Sequence, residues 1–410
     1  MTHSPTRRWA ILGVGLAAMI CACATQYGMP YLVPVLRTAG VGASDRAVLV
    51  SAPITGVLLA LAAWGALADR VGERVVLGGG LCLAAGALAA ASACPVRSWW
   101  LVAALVAAGA ASSCVHAASG RLILGWFAAH ERGLAMGVRQ TSQPLGLAVA
   151  ALVLPPAGRH GYGTAFAVLG VGCLATGALA LAAVRDPDLP RAGAAGNANP
   201  YRAPFLWRLH AASALLVLPQ FMISAFAYDF LVHERGWSSG IAGTLLAGSS
   251  LAGAAARLVA GWWSDRVGLR LSPMRVLATG ITITMVVLSL CAWADVAAVV
   301  GVLAVASVIT SSVNGLAYTA VAERAGSRWA GRSLGIHNTG QNLVAVLTPP
   351  LVTVVVEAGS AGYPLSFAGC ALAALVAVGT VPARDERPPG RDPEPVPAPV
   401  NRPVPARPPA

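Results

Sequence analysis

Twelve apolar stretches follow one another along the chain, at roughly 9–36, 45–68, 75–94, 99–126, 134–157, 162–184, 205–232, 240–263, 275–294, 296–322, 333–356 and 362–381. About 20 such residues are enough to cross a hydrocarbon layer as a helix, so the pattern predicts an all-α membrane protein with twelve transmembrane helices. The first stretch follows Thr6-Arg7-Arg8 but runs on through Tyr27, Pro30 and Pro34, past the length of a signal peptide and with no cleavage site. It is read as a retained first helix. Segment 185–204, from Arg185-Asp186-Pro187 to Pro200, is the long polar break between spans and lies near the chain midpoint. The division expected is an N-terminal six-helix half over 1–188, a cytoplasmic linker over 189–204 and a C-terminal six-helix half over 205–382. Residues 383–410 are Pro, Arg, Ala and Val without helical or strand period, which reads as a disordered cytoplasmic tail.

Composition narrows this further. Of 410 residues, 57% are hydrophobic and 11% charged, which excludes an ordinary soluble domain. All 28 basic residues are Arg. With a cytoplasmic N-terminus they divide into 20 inside, 5 outside and 3 within spans (Arg121, Arg139 and Arg257). By the positive-inside rule this places both termini in the cytoplasm, in a multi-pass protein of the cytoplasmic (inner) membrane. The net charge of +12 is then a topological signal, and nucleic acid is not an expected partner. The eight cysteines lie in or at the edge of apolar spans without a CxxC pair and are read as packing residues, with no metal site and no cofactor.

The two halves repeat each other. Gly65-Ala66-Leu67-Ala68-Asp69-Arg70-Val71-Gly72-Glu73-Arg74 follows span two, and Gly261-Trp262-Trp263-Ser264-Asp265-Arg266-Val267-Gly268-Leu269-Arg270 follows span eight at a constant offset of 196. Met136-Gly137-Val138-Arg139-Gln140 through Gln143 opens span five and is answered at offset 198 by Leu334-Gly335-Ile336-His337-Asn338 through Gln341 in span eleven. Such matched segments in two membrane halves indicate internal duplication.

The 65–74 loop resembles that of the major facilitator superfamily, Gly-x-Leu-Ala-Asp-Arg-x-Gly-Arg-Arg, departing only at Glu73. The resemblance covers about residues 9–381 and implies two pseudo-symmetric six-helix halves that rock around a central site. It also implies gating roles for Gly65, Asp69, Arg70, Gly72 and Arg74 and for their copies Gly261, Asp265, Arg266 and Gly268. In that family the aspartate sits by the cytoplasmic N-terminus of helix eleven, whose partial positive charge favours an anion, and holds the halves together in the outward-facing state. Asp265 is expected to face the start of helix five near Arg132 and Gly133. The turn Trp126-Phe127 with Arg132-Gly133-Leu134-Ala135-Met136-Gly137 is similar to that of oxalate-formate and monocarboxylate-type organic-anion porters. The Arg followed by Gly-x-Gly and the Gly-Pro-x-x-Gly-Gly run of proton-driven drug exporters are not intact: Leu105 stands before Gly109, and span five has Gln143-Pro144-Leu145-Gly146.

Ionisable groups inside spans are costly and usually functional. The deep ones here are Arg139, His116 and His337, with Gln140, Gln143, Asn338, Gln341 and Asn342 as polar neighbours, while Asp229, Glu323 and Glu357 lie toward span ends. Arg121 is expected to snorkel to the interface and Arg257 to be structural. An arginine and two histidines without a deep carboxylate suit an anion, with a proton as coupling ion. The substrate-binding and coupling candidates are Arg139, Gln143, His337, Gln341 and His116, and the resemblance adds Tyr27, Asn314 and Tyr318 as chamber residues. Arg139 with Gln143, and His337 with Gln341, are spaced i to i+4 and are expected to share a helix face. A phosphate loop is absent and there is no Lys to complete one, so ATP-driven transport is excluded for this chain. The function expected is secondary active transport of a small solute by a monomer that is not an enzyme. A proton-driven multidrug or metabolite exporter and a non-translocating sensor are the alternatives.

Overall fold

The computed structural model describes residues 5–187, 199–359 and 361–383; the expected tail beyond Ala383 and linker residues 189–198 lie outside the described residues. Among the described residues, sixteen α-helices form twelve rods. In chain order these are α1 (Pro5–Tyr27) with α2 (Val33–Thr38), α3 (Ala43–Val71), α4 (Glu73–Ala93), α5 (Trp99–Ser112) with α6 (Cys114–Trp126), α7 (Arg132–Gln140) with α8 (Ser142–Gly158), and α9 (Tyr162–Ala183). The second set comprises α10 (Phe205–Asp229), α11 (Ser239–Val267), α12 (Leu271–Trp293), α13 (Val299–Ser312) with α14 (Asn314–Ala325), α15 (Ala330–Glu357) and α16 (Gly362–Thr380).

Among the described residues, eleven helical segments are long and apolar enough to cross a membrane. The predicted span 134–157 is not among them. It is built from α7 and α8, which meet at Thr141, and Arg139, Gln140, Gln143 and three prolines dilute its hydropathy. Its polar side chains are tolerated because they turn toward other helices rather than lipid.

The duplication is visible in the packing. In the first set α4 packs on α9 and α3 on α5; in the second α12 packs on α16 and α11 on α13. Rods four and ten both break near their midpoints, at Ser113 and Val313, and the proline pairs Pro155-Pro156 and Pro349-Pro350 sit in α8 and α15. Leu59, Leu83, Val171, Leu251, Ile283 and Leu372 are exposed on the outer surface, and Trp99, Trp100, Trp207, Trp262 and Trp293 are exposed at or near rod ends. An apolar belt with aromatic rims is what a lipid-facing surface requires.

The two sets meet through α3 against α15 and α11 against α7. Both crossings depend on glycine. A Cβ on Gly65 would lie 2.3 Å from the Gly331 carbonyl oxygen, and one on Gly261 would lie 2.3 Å from that of Gly133. Both contacts are at the end of the bundle that carries the two motif loops, called here the motif face. Gly72 (φ 95°) and Gly268 (φ 72°) turn the chain there in the left-handed region that L side chains avoid.

Candidate solute chamber and latches

At the motif face, Asp69 ends α3 fully buried, and its two carboxylate oxygens accept the backbone N–H groups of Gly331 and Arg332, each at 2.9 Å, in the first turn of α15. Free N–H groups and the helix dipole make this a natural anion seat. Asp265 does the same for α7, accepting from Gly133 at 2.9 Å and Leu134 at 2.8 Å. Each aspartate thus fastens one helix set to the other.

A buried guanidinium supports each latch. Arg121 on α6 was expected to reach water, but it is only 2% exposed and pairs with both Asp69 and Glu73, while Nη1 also donates to the Ser327 carbonyl at 2.8 Å. Two carboxylates within reach account for its burial. Glu73, the one departure from the motif, is therefore Arg121's partner. In the second set Arg270, just ahead of α12, binds Asp265 at 2.6 Å, Glu323 on α14 at 3.2 Å and the Ala129 carbonyl of the first set. Burial works against its charge, but Glu323 and Asp265 outweigh it and raise its pKa above the ordinary arginine value. Compared with the first set, the charges are exchanged: the acid stands on the fourth rod of its set and the arginine at the turn.

Deeper in the bundle lies a small polar chamber of about 50 Å³ lined by Tyr27, His116, Gln143, Asn314, Tyr318 and Gln341 together with Gln140, Asn338 and Asn342. Tyr27 donates to Asn342 Oδ1 at 2.8 Å, bridging the sets, and Asn314 donates to Gln220 Oε1 at 3.0 Å. His116 Nε2 lies 2.9 Å from Gln26 Oε1. Tyr27, Gln143 and Phe221 are shared with a larger vestibule of about 390 Å³ that extends away from the motif face between α8, α10, α11 and α13. No Asp or Glu lines either space among the described residues.

Two arginines border these spaces. Arg257 on α11 lines the vestibule, is 5% exposed, and donates to the Ser311 carbonyl at 2.9 Å and across the interface to the Gln140 carbonyl at 2.5 Å. Arg139 on α7 is 1% exposed; it donates to Ser119 Oγ, the His116 carbonyl and Gln140 Oε1, and its guanidinium lies 5.1 Å from the centroid of the Tyr318 ring. Neither has a carboxylate partner among the described residues.

A sequence profile of the Major Facilitator Superfamily matches residues 14–228 and again 209–408. Two uncharacterized MFS-type transporters of Mycobacterium tuberculosis, from strains H37Rv and CDC 1551, are 40% and 39% identical over 396 residues, covering 94% of this chain and 87% of theirs. The chain belongs to the major facilitator superfamily. It is a multi-pass membrane transporter and not an enzyme. Its fold is similar to that of the Escherichia coli fucose:proton symporter FucP, with a TM-score of 0.73 at 14% identity over 92% of this chain and 98% of that one. The human organic anion transporter MFSD10 matches with a TM-score of 0.72 at 16% identity over 93% and 100%.

Within this facilitator, six of the eight candidate site residues line the chamber, and Arg139 and His337 do not. Arg139 is turned toward a narrow gap between α1 and α6. The helix break at Thr141 ends the regular i to i+4 relation, and Gln143 makes no hydrogen bond to Arg139. His337 is tied to α10 rather than to Gln341: its Nδ1 lies 3.0 Å from His210 Nδ1 and its Nε2 lies 3.2 Å from Ser213 Oγ. Among the described residues, no hydrogen bond or ion pair of Arg70, Arg74 or Arg266 reaches the opposite set; Arg74, for example, binds Asp186 and the Leu181 carbonyl. Sequence reasoning missed His210, Ser213 and Gln220. The signal for them was a polar side chain at positions 210, 213 and 220 of one span, along one side of a helix at spacings of three and seven.

Proposed function

We propose that this facilitator is a secondary carrier of a small anion, of the oxalate-formate or monocarboxylate kind, coupled to protons and working by alternating access. The observation that carries the reading is the pair Arg139 and Arg257: two buried guanidiniums, one on each helix set, beside a chamber without carboxylates. A buried cation left unpaired is costly, and a permeating anion supplies the missing charge. Arg257 Nη2 makes no hydrogen bond among the described residues, which leaves it free to donate to one oxygen of a planar anion. Guanidinium geometry suits a carboxylate through two parallel hydrogen bonds.

The motif face is assigned to the cytoplasm on the arginine bias, so the structure corresponds to an outward-facing carrier closed below by the Asp69 and Asp265 latches. Residues 1–188 and 205–382 are the two rocking bodies. An anion descending the vestibule meets Arg257 first, at its inner end, where Arg257 already bridges to the Gln140 carbonyl of the other set. Arg139, over the Tyr318 ring, then stands on the inner side of the anion when the latches release. The expected result in proteoliposomes is counterflow of at least one labelled anion from a panel of formate, oxalate, lactate and nitrate, and none of cationic dyes. Dye extrusion by a pump-deficient host expressing the protein, with no anion counterflow, would replace this reading with drug export.

A further inference from the structure

We infer that His210 and His337 form a single-proton site that is loaded from the motif face and closed off from the chamber by Gln341. This rests on the carrier reading only for what the proton is coupled to. Tyr201 stands in a short turn ahead of α10, partly exposed at the motif face, and its hydroxyl lies 3.0 Å from His210 Nε2. His210 Nδ1 lies 3.0 Å from His337 Nδ1, His337 Nε2 lies 3.2 Å from Ser213 Oγ, and Gln341 Nε2 donates to Ser213 Oγ at 2.6 Å. Gln341 Oε1 in turn accepts from the Tyr318 hydroxyl at 2.8 Å, which borders the chamber. The chain of groups is continuous from the surface to the solute space.

Its chemistry differs along its length. Two imidazole nitrogens at 3.0 Å with both rings neutral require one Nδ1–H donor and one bare Nδ1 acceptor. In one such array Tyr201 donates to His210, His210 to His337, and His337 to Ser213. Uptake then proceeds by passing the Tyr201 hydroxyl proton to His210 Nε2 while Tyr201 is reprotonated from water, so the pair gains one proton and one positive charge. Moving the bridging hydrogen to His337 carries that charge inward without changing the count. A second excess proton would set two N–H groups against each other, so the pair holds one. Beyond Ser213 the relay stops, because a carboxamide donates and accepts but does not pass a proton on without adopting a high-energy tautomer. In this state the site therefore exchanges with the motif face and not with the chamber.

The ionisable groups around the pair are Tyr201 ahead of α10, Tyr318 on α14, whose ring centroid is 4.7 Å from that of His337, and Arg139 on α7, which acts on His337 through space. Asp69 of α3 acts on Tyr201 but is already bound by Arg121 and α15. Among the described residues, no carboxylate is hydrogen-bonded to either ring. A proton on the pair adds positive charge behind Gln341 and Tyr318, beside the chamber, and so strengthens the hold of Arg139 and Arg257 on an anion. Binding of the proton and binding of the anion thereby favour each other.

The test is a ring-nitrogen NMR titration of full-length protein in lipid nanodiscs, with all seven histidines labelled and His210→Asn and His337→Asn used for assignment. Between about pH 4 and 9 the Nδ1 signals of the two rings are expected to move together in one step worth one proton. His210→Asn is expected to shift the His337 midpoint, and Tyr201→Phe to keep the step while slowing exchange with water at least tenfold. Separate steps totalling two protons, no proton uptake by either ring, or a His337 midpoint unmoved by His210→Asn would each overturn the site; exchange unaffected by Tyr201→Phe would overturn the route. The wild-type titration decides even where a variant is too unstable to label. No anion is present in the experiment, so failure here leaves the anion reading standing, and failure to find a transported anion leaves the proton site standing.

Discussion

Arg121→Ala is expected to yield little or no folded protein. The substitution leaves Asp69 and Glu73 buried side by side with their shared cation removed, and breaking a buried ion pair on one side typically costs about 3 to 5 kcal/mol, a large part of the stability of a whole domain. Removing the acid as well relieves the strain, so Arg121→Leu with Glu73→Gln should recover part of the monodisperse peak in fluorescence-detected size exclusion. A sharper version uses the second set as a template, since Arg270 at the turn and Glu323 on α14 carry the same pair with charges exchanged. Glu73→Arg with Arg121→Glu rebuilds that order beside Asp69 and should fold better than either single change. Equal or worse yield from the double exchange would show that the two latches are not equivalent in design.

Asp69→Ala is expected to leave insertion intact and to lower the initial rate of transport at least tenfold. It removes two charge-assisted hydrogen bonds to the α15 N-terminus, each worth about 1.5 to 3 kcal/mol, and even one of them is enough to move a two-state equilibrium by about one to two orders of magnitude. Asp265→Ala should act in the same direction but more weakly. When Asp265 is lost, Arg270 still holds the Ala129 carbonyl and Glu323 still lies 3.6 Å from Arg132, so the second latch retains contacts across the interface. When Asp69 is lost, Arg121 keeps its hydrogen bond to the Ser327 carbonyl, but α15 loses both of its N-terminal acceptors. Counterflow rates of the two variants, normalised to folded protein, check the order; wild-type transport by Asp69→Ala would remove the latch from the mechanism.

The architecture was legible along the chain because its determinants are local or periodic. Apolar runs set the rods, and the copies of Gly-x-x-x-Asp-Arg-Val-Gly at a constant offset announced the duplication. The placement of Asp69 against α15 followed from the family resemblance and of Asp265 against α7 from the repeat. What the sequence could not supply was which distant side chains meet. Glu73 was visible as a departure from a motif, yet its reason lies 48 residues away in Arg121. His337 was singled out, but its partner His210 is 127 positions distant and lies on another rod. Arg139 was assigned to the chamber on helical periodicity, but it is held just behind the chamber wall by Ser119 Oγ, the His116 carbonyl and Gln140 Oε1. Arg257 was read as structural from its neighbours in sequence, while its exposure to the vestibule depends on how α8, α10, α11 and α13 diverge above it.

The central claim is that an anion completes the charge of the chamber through Arg257. The direct measurement is a thermal-shift comparison of purified wild-type protein and Arg257→Gln against monocarboxylates, dicarboxylates, nitrate-like anions, sugars and amines. Binding stabilises the folded state by about 2.7 kcal/mol at one hundred times Kd, well within the range of such an assay. The account predicts that at least one anion raises the wild-type melting temperature in a concentration-dependent way, and that Arg257→Gln keeps its baseline stability but loses the response. Stabilisation confined to sugars or amines, or an anion response that survives intact in Arg257→Gln, would contradict it.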